Sequence, residues 1–408
     1  MDNVDWDLVS ADVGLLTLAC LSIFAGAFGS LSVRTHGAKS SSGPKSPDDE
    51  EDELEDTPER VSSNDAWIFP IIGSVALFGL YLIVKHFGKE WLNWFLAWYF
   101  SFIGALCVWK SAASFSRLVV GNERWKKFDR VRVFILKGPR EVFSLSLRTP
   151  TLLLLPVCVV PSILYIWTAS DQKSMVLTNI LALALSHNAL SMMKLDSFRT
   201  GCILLSGLFI YDIGWVFGTK VMVEVATSLD VPIKILWPKS LSFASERGAT
   251  MLGLGDIVIP GTFIALALRY DYARSQSAKF TKPYFVVTLM AYVAGLVCTM
   301  VVMHVFGSAQ PALLYLSPAC ICSFLVTAFI RGELRDAWGW SDDPEEKQQA
   351  SPVAANASGQ RDSAPAVSQG IDVLQVRTED TRGEDREQSP EHAVTPRRKK
   401  GGKGRREA

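Results

Sequence analysis

Nine apolar runs alternate with polar connections along this chain. They cover residues 11–33, 67–84, 91–109, 151–168, 174–190, 199–221, 249–269, 283–306 and 311–330. A helix of roughly 20 residues spans the ~30 Å of a bilayer's hydrocarbon core, and backbone polar groups there have no water to bond. The pattern therefore predicts an all-α polytopic membrane protein with nine transmembrane helices. Trp91, Trp94, Trp98 and Tyr99 crowd the start of the third run, as an interfacial aromatic belt does. Pro156 and Pro161 lie in the fourth, where neighbouring helices can satisfy the freed carbonyls. The fifth is weakly apolar. Its Ser186, His187 and Asn188 read as the end of a span, making a polar cap or interhelical hydrogen bond.

The connections divide the chain into an N-terminus with the first helix (1–33), an acidic loop (34–65), helices two to five (66–190), a core of helices six to nine (191–335) and a tail (336–408). The loop contains Asp48-Asp49-Glu50-Glu51-Asp52-Glu53, and it and the tail have too little apolar content to form a core. Residues 1–10 are acidic, with no basic segment before the first run, so that run reads as a membrane helix rather than a cleaved leader. Residues 131–136 alternate weakly, as a surface strand or an interfacial segment would.

Composition refines this picture only in places. Apolar residues make up 49% of the 408, and their clustering into runs separates this chain from a soluble protein of equal length. The zero net charge averages an acidic loop, basic connections and a mixed tail. The seven cysteines sit mostly inside apolar runs without framework spacing, so they read as small buried residues rather than disulfides. Neither Cys320 and Cys322 nor the isolated His304 makes a metal motif. Eight Lys or Arg lie between Arg124 and Arg148, and Arg269, Arg274, Lys279 and Lys282 follow the seventh run. With Lys194 and Arg199 they fall on one face, which the positive-inside rule makes cytosolic. That places the N-terminus on the lumenal side and the tail, with its Asn356 sequon, in the cytosol.

Two carboxylates interrupt the apolar pattern: Asp212 in the sixth run and Asp256 in the seventh. An ionisable group at such depth is expensive and points to function. Asp212 follows Arg199 by 13 residues and Asp256 precedes Arg269 by 13, so antiparallel helices carry both about 20 Å from the cytosolic face. Facing carboxylates in a low-dielectric site share a proton rather than both ionise. Such a pair suits hydrolysis: one member takes a proton from water while the other polarises a peptide carbonyl. Gly253 and Gly255 remove side chains beside Asp256, and Pro260-Gly261 weakens the same helix. Tyr211 is placed to bond within the pair or to close its pocket. The small residues Ser206, Gly207, Gly214 and Gly218 are expected to bring the two helices together.

Tyr211-Asp212, Gly253-Leu254-Gly255-Asp256 and Pro311-Ala312-Leu313 resemble, in order and in the right runs, the three motifs of the intramembrane aspartyl proteases. Residues 194–198, 251–261 and 310–319 are most similar to the signal peptide peptidase branch of that family. The resemblance implies a nine-span enzyme of the endoplasmic reticulum membrane that cuts transmembrane segments of type II orientation and remnant signal peptides. It implies that Asp212 and Asp256 are catalytic. Tyr211, Gly253, Leu254, Gly255, Pro311, Ala312 and Leu313 would shape the active site. Its partners would be transmembrane substrates and the lipid bilayer, and a homo-oligomer or degradation-complex partners stay open; no cofactor, metal or nucleic acid is called for. Two other readings compete: a scaffold or chaperone that grips transmembrane segments without cutting them, and a proton-coupled transporter. The transporter would need repeated halves with broken helices, and no internal repeat is visible.

Overall fold

The computed structural model describes residues 6–38, 59–125, 127–137, 140–168, 174–219, 221–222, 225, 229, 231–239, 249–275, 282–307 and 310–342. The acidic run at 48–53, Lys220, Glu224, Lys279, Asn356 and the basic C-terminal end lie outside the described residues. The long helices among these residues are α1 (Trp6–Ala38), α2 (Ser63–Phe87), α3 (Lys89–Val120), α4 (Thr149–Trp167), α5 (Met175–Met192), α6 (Phe198–Gly218), α7 (Gly255–Arg274), α8 (Pro283–Phe306) and α9 (Leu313–Ile330). A short α10 (Leu334–Trp338) follows. Among the described residues, eight of the nine long helices are long and apolar enough to cross a membrane. The chain is an all-α polytopic membrane protein.

The helix outside that eight is α7. It carries Asp256, Arg269, Asp271 and Arg274, and it is also the most enclosed, with every residue from Pro260 to Asp271 buried. Arg269 and Asp271 therefore face protein, while Arg274 lies at the exposed end of the helix. The helices α1, α5, α6, α8 and α9 pack around it, while α2 rests on α6 and α3, and α3 on α4 and α5. None of α2's apolar window is buried, so its Trp67, Ile71 and Val75 form an outer face.

Local chemistry sets the helix ends. Ser62 and Asp65 form a capping box at the start of α2: the Asp65 N–H donates to Ser62 Oγ and the Ser62 N–H donates to the Asp65 carboxylate. The helix therefore begins at Ser63, inside the span read from sequence as loop. Ser197 Oγ accepts the Thr200 N–H at the start of α6, and Pro283 opens α8. Gly307 ends α8 in the left-handed region at φ 61°, which glycine adopts without a Cβ penalty. Contrary to the sequence reading, His187 and Asn188 do not end α5, which runs on to Met192. The Asn188 carboxamide instead donates to the Cys107 carbonyl and Ser111 Oγ of α3, each at 2.8 Å, making the expected interhelical bond.

Among the described residues, three strand pairs supplement the helices. β1 (Glu59–Val61) runs parallel to β4 (Met193–Leu195), and β2 (Arg130–Lys137) forms an antiparallel hairpin with β3 (Arg140–Arg148). The weak alternation at 131–136 is thus a strand. The third pair, β5 (Lys234–Pro238) against β6 (Ala249–Gly253), corrects the seventh apolar run. Its first residues form β6, and the helix occupies 255–274 rather than 249–269.

Two contacts lock the end of the bundle at which α6 begins. Phe198 stacks on Phe324 of α9 with ring centroids 3.9 Å apart and meets Phe263 and Tyr270 of α7 edge-on. Arg269, expected at the aqueous face, is fully buried. Its Nε lies 2.9 Å from the Asp342 carboxylate, and it also donates to Ser30 Oγ and the Leu195 carbonyl. Lys194 is buried as well.

Candidate active site

The site is assembled from the middle of α6 and the first turns of α7 and α9. Asp212 lies fifteen positions into α6 by sequence count (198 to 212) and is buried, 4% exposed. Asp256 is the second residue of α7, immediately after β6, and is only partly covered. Arg269 bonds the Leu195 carbonyl, so its end of α7 is level with the start of α6. The two antiparallel helices therefore carry the aspartates at similar depth, and the carboxylates are close enough for their charges to couple.

The third component is a main-chain donor. The first N–H groups of an α-helix have no partner within it. In α9, which starts just after Pro311 and Ala312, the Leu313 N–H lies within electrostatic range of the Asp212 carboxylate. The positive end of the α9 dipole adds to that attraction. The Pro311 carbonyl accepts the Leu314 N–H and the Ala312 carbonyl accepts those of Tyr315 and Leu316, which forms the turn that aims Leu313.

The glycines beside Asp256 differ in what they do. A Cβ on Gly253 would stand 3.3 Å from Asp256 Oδ2, tighter than an ordinary contact. A Cβ on Gly255 would meet only Ile259, at 4.0 Å, so packing does not demand that glycine. The Leu254 N–H donates to the Ile233 carbonyl, and the Leu254 carbonyl accepts the N–H groups of Ile257 and Val258, joining hairpin to helix. Pro260-Gly261 does not break α7. Pro260 has no N–H for the Asp256 carbonyl one turn earlier, and Gly261 admits Leu190 of α5, 2.6 Å from where its Cβ would be.

Tyr211 lies between Asp212 and α2, within electrostatic range of that aspartate. Its ring packs against Gly73 of α2 and lies 6.4 Å from the Trp215 ring, so it closes the α2 side of the site. The small residues of α6 also sort differently from expectation. Gly207 accommodates Pro70 of α2, and nothing lies within 4 Å of a Cβ at Gly214 or Gly218. The close approach of α6 to α7 is made at Gly201, where a Cβ would stand 2.6 Å from the Phe263 ring. Sequence reading also passed over Tyr292 of α8. It is fully buried within electrostatic range of Asp256, and its hydroxyl has no hydrogen-bond partner among the described residues. A phenol midway along an apolar run was its signal.

A family model described as signal peptide peptidase matches residues 53–344. The chain belongs to the signal peptide peptidase family. It is 37% identical to the signal peptide peptidase of Mus musculus over 368 residues, covering 88% of this chain and 89% of the relative. The human signal peptide peptidase is equally similar, at 37% over 370 residues, with 88% and 89% covered. A probable intramembrane protease of Schizosaccharomyces pombe is 37% identical over 286 residues, covering 69% of this chain and 84% of that protein. The matched region includes both aspartates, the β5–β6 hairpin and the start of α9. Membership makes this chain a membrane-embedded peptidase.

Proposed function

We propose that this chain is an aspartic endopeptidase that cuts peptide bonds within the membrane, with Asp212 and Asp256 as its catalytic pair. The observation that carries the reading is the convergence of two carboxylates from neighbouring antiparallel helices at similar depth, with the first turn of α9 beside one of them. One ionised carboxylate accepts a proton from a water molecule, whose oxygen adds to the peptide carbonyl carbon. The protonated member donates to the carbonyl oxygen as negative charge develops there. Collapse of the tetrahedral species breaks the C–N bond, and the proton taken from water goes to the leaving amine.

The hairpin supplies a place for an unwound substrate. β6 has β5 on one side and no second strand among the described residues on the other. An extended segment added to that open edge lies two residues from the helix that bears Asp256, with its peptide groups bonded to main chain rather than exposed to lipid. Gly253 leaves room beside the carboxylate for it.

The substrates are remnant signal peptides and transmembrane segments of type II orientation, as the relatives' name suggests for the first. All nine long helices cross the endoplasmic reticulum membrane, α7 shielded by its neighbours, with the N-terminus lumenal and the tail cytosolic. The test is cleavage of a fluorogenic signal-peptide-like segment by the purified full chain in detergent, alongside Asp212→Ala and Asp256→Ala. Cutting by the parent and by neither variant supports the reading. Retained binding of the segment without cutting by the parent makes the protein a scaffold instead.

A further inference from the structure

The outer edge of β5 is bonded by a side chain of α5. Asn179 of α5 donates from Nδ2 to the Leu236 carbonyl at 2.7 Å, and its Oδ1 accepts the Leu236 N–H at 2.8 Å. A carboxamide thus occupies the outer edge of β5 as a neighbouring strand would. In an antiparallel pair the N–H and C=O of a residue point to the same side and alternate along the strand. Leu236 faces Asn179, so Ile235 and Trp237 face β6. The register, Ile235 with Leu252 and Trp237 with Thr250, then turns the main-chain groups of Met251 and Gly253 to the open side. A second anchor lies one residue on: the Trp237 ring fills the space over Gly14 of α1, 2.2 Å from where a Cβ would be.

We propose that Asn179 is a positioning residue that selects which peptide bond is cut. It fixes β5, β5 fixes the angle and level of β6, and β6 reaches Asp256 across only Leu254 and Gly255. A tilt or slide of the hairpin therefore moves the Met251–Gly253 edge relative to the carboxylate. A substrate paired to that edge then presents a different bond. Pairing errors in a sheet are discrete because side chains alternate faces, so the shift appears as cleavage at neighbouring bonds rather than as a blurred site. This inference rests on the substrate pairing with β6 described above.

The experiment is mass spectrometry of products from one defined transmembrane segment, cut by the full-length parent, Asn179→Ala and Asn179→Asp. Asn179→Ala removes both bonds; Asn179→Asp keeps the acceptor for the Leu236 N–H and loses the donor. The expected result is continued cleavage by both, with the share of the parent's main product falling by about half or more in Asn179→Ala and less in Asn179→Asp. Parental product ratios in the active variants, at whatever rate, overturn the inference. Loss of cleavage in both variants also overturns it, because Asn179 would then be needed for folding rather than for selection. Where only Asn179→Asp is active, a shifted ratio in it supports the inference. Failure of the protease reading looks different: the parent itself yields no products, or Asp256→Ala yields the same ones.

Discussion

Removing the Asp342 carboxylate tests whether the end of the chain's described core locks the bundle. In Asp342→Ala, Arg269 keeps its bonds to Ser30 Oγ and the Leu195 carbonyl but loses the carboxylate that lies 2.9 Å from its Nε. With Arg269 fully buried, water cannot replace that carboxylate without opening the contact between α7, α6 and α1. Breaking a buried pair from one side costs about 3–5 kcal/mol. At about 2 °C per kcal/mol for a chain of this size, the unfolding midpoint falls by roughly 6–10 °C. Replacing both partners by leucine removes the stranded charge as well, and this costs much less or nothing. The assay is thermal unfolding in detergent of the parent, Asp342→Ala, and the cycle Asp342→Leu, Arg269→Leu and Arg269→Leu/Asp342→Leu. A single-variant shift of less than about 2 °C, or additive losses in the double variant, would refute the buried pair as described.

Three further outcomes follow from particular contacts. Gly201→Ala puts a Cβ 2.6 Å from the Phe263 ring, which is fully buried and cannot yield freely, so unfolding shows a loss of about 1–3 kcal/mol despite alanine's better helix propensity. Gly253→Ala crowds Asp256 Oδ2 and lowers the cleavage rate about tenfold, while Gly255→Ala, with nothing nearer than 4.0 Å, leaves it nearly unchanged; equal effects would contradict the geometry. Burial acts to raise the Glu333 carboxyl, but hydrogen bonds from Arg274 and Tyr284 and the charges of Arg274 and Arg331 outweigh it and hold the carboxyl below its usual range. A depressed folded value stabilises the fold above the unfolded value of about 4.3, and this is lost as pH falls through the folded value, so the loss of unfolding midpoint in Glu333→Gln at about pH 7 shrinks progressively as pH falls below about 4.

The helices were legible because lipid imposes a strong rule: a spanning segment must be long, apolar and internally bonded. The rule reads poorly at α7, whose enclosure by protein permits Arg269 and Asp271, and at its start, where apolar Ala249–Gly253 suits a strand equally well. β1 and β4 are three residues each and are defined by one another, across more than 130 positions of sequence, so neither has a local signature. Asp212 and Asp256 were legible from depth and composition, and Leu313 from its motif. The approach of the Leu313 N–H to Asp212 was not, since it depends on where α9 begins. Small residues announce close packing without naming the neighbour, which is why Gly207 meets Pro70 and it is Gly201 that meets Phe263.

The central claim is that Asp212 and Asp256 act as one catalytic unit. Its most direct test is the rate of segment cleavage by Asp212→Asn, Asp256→Asn and the double variant, with folding checked by thermal unfolding. Groups that act together are non-additive: each single loss removes nearly all that the pair supplies. The account predicts that each single variant loses at least about a thousandfold in rate and that the double variant is no slower than either. A single variant that keeps a tenth or so of the parental rate, or a double variant slower by the product of the two single effects, would contradict it.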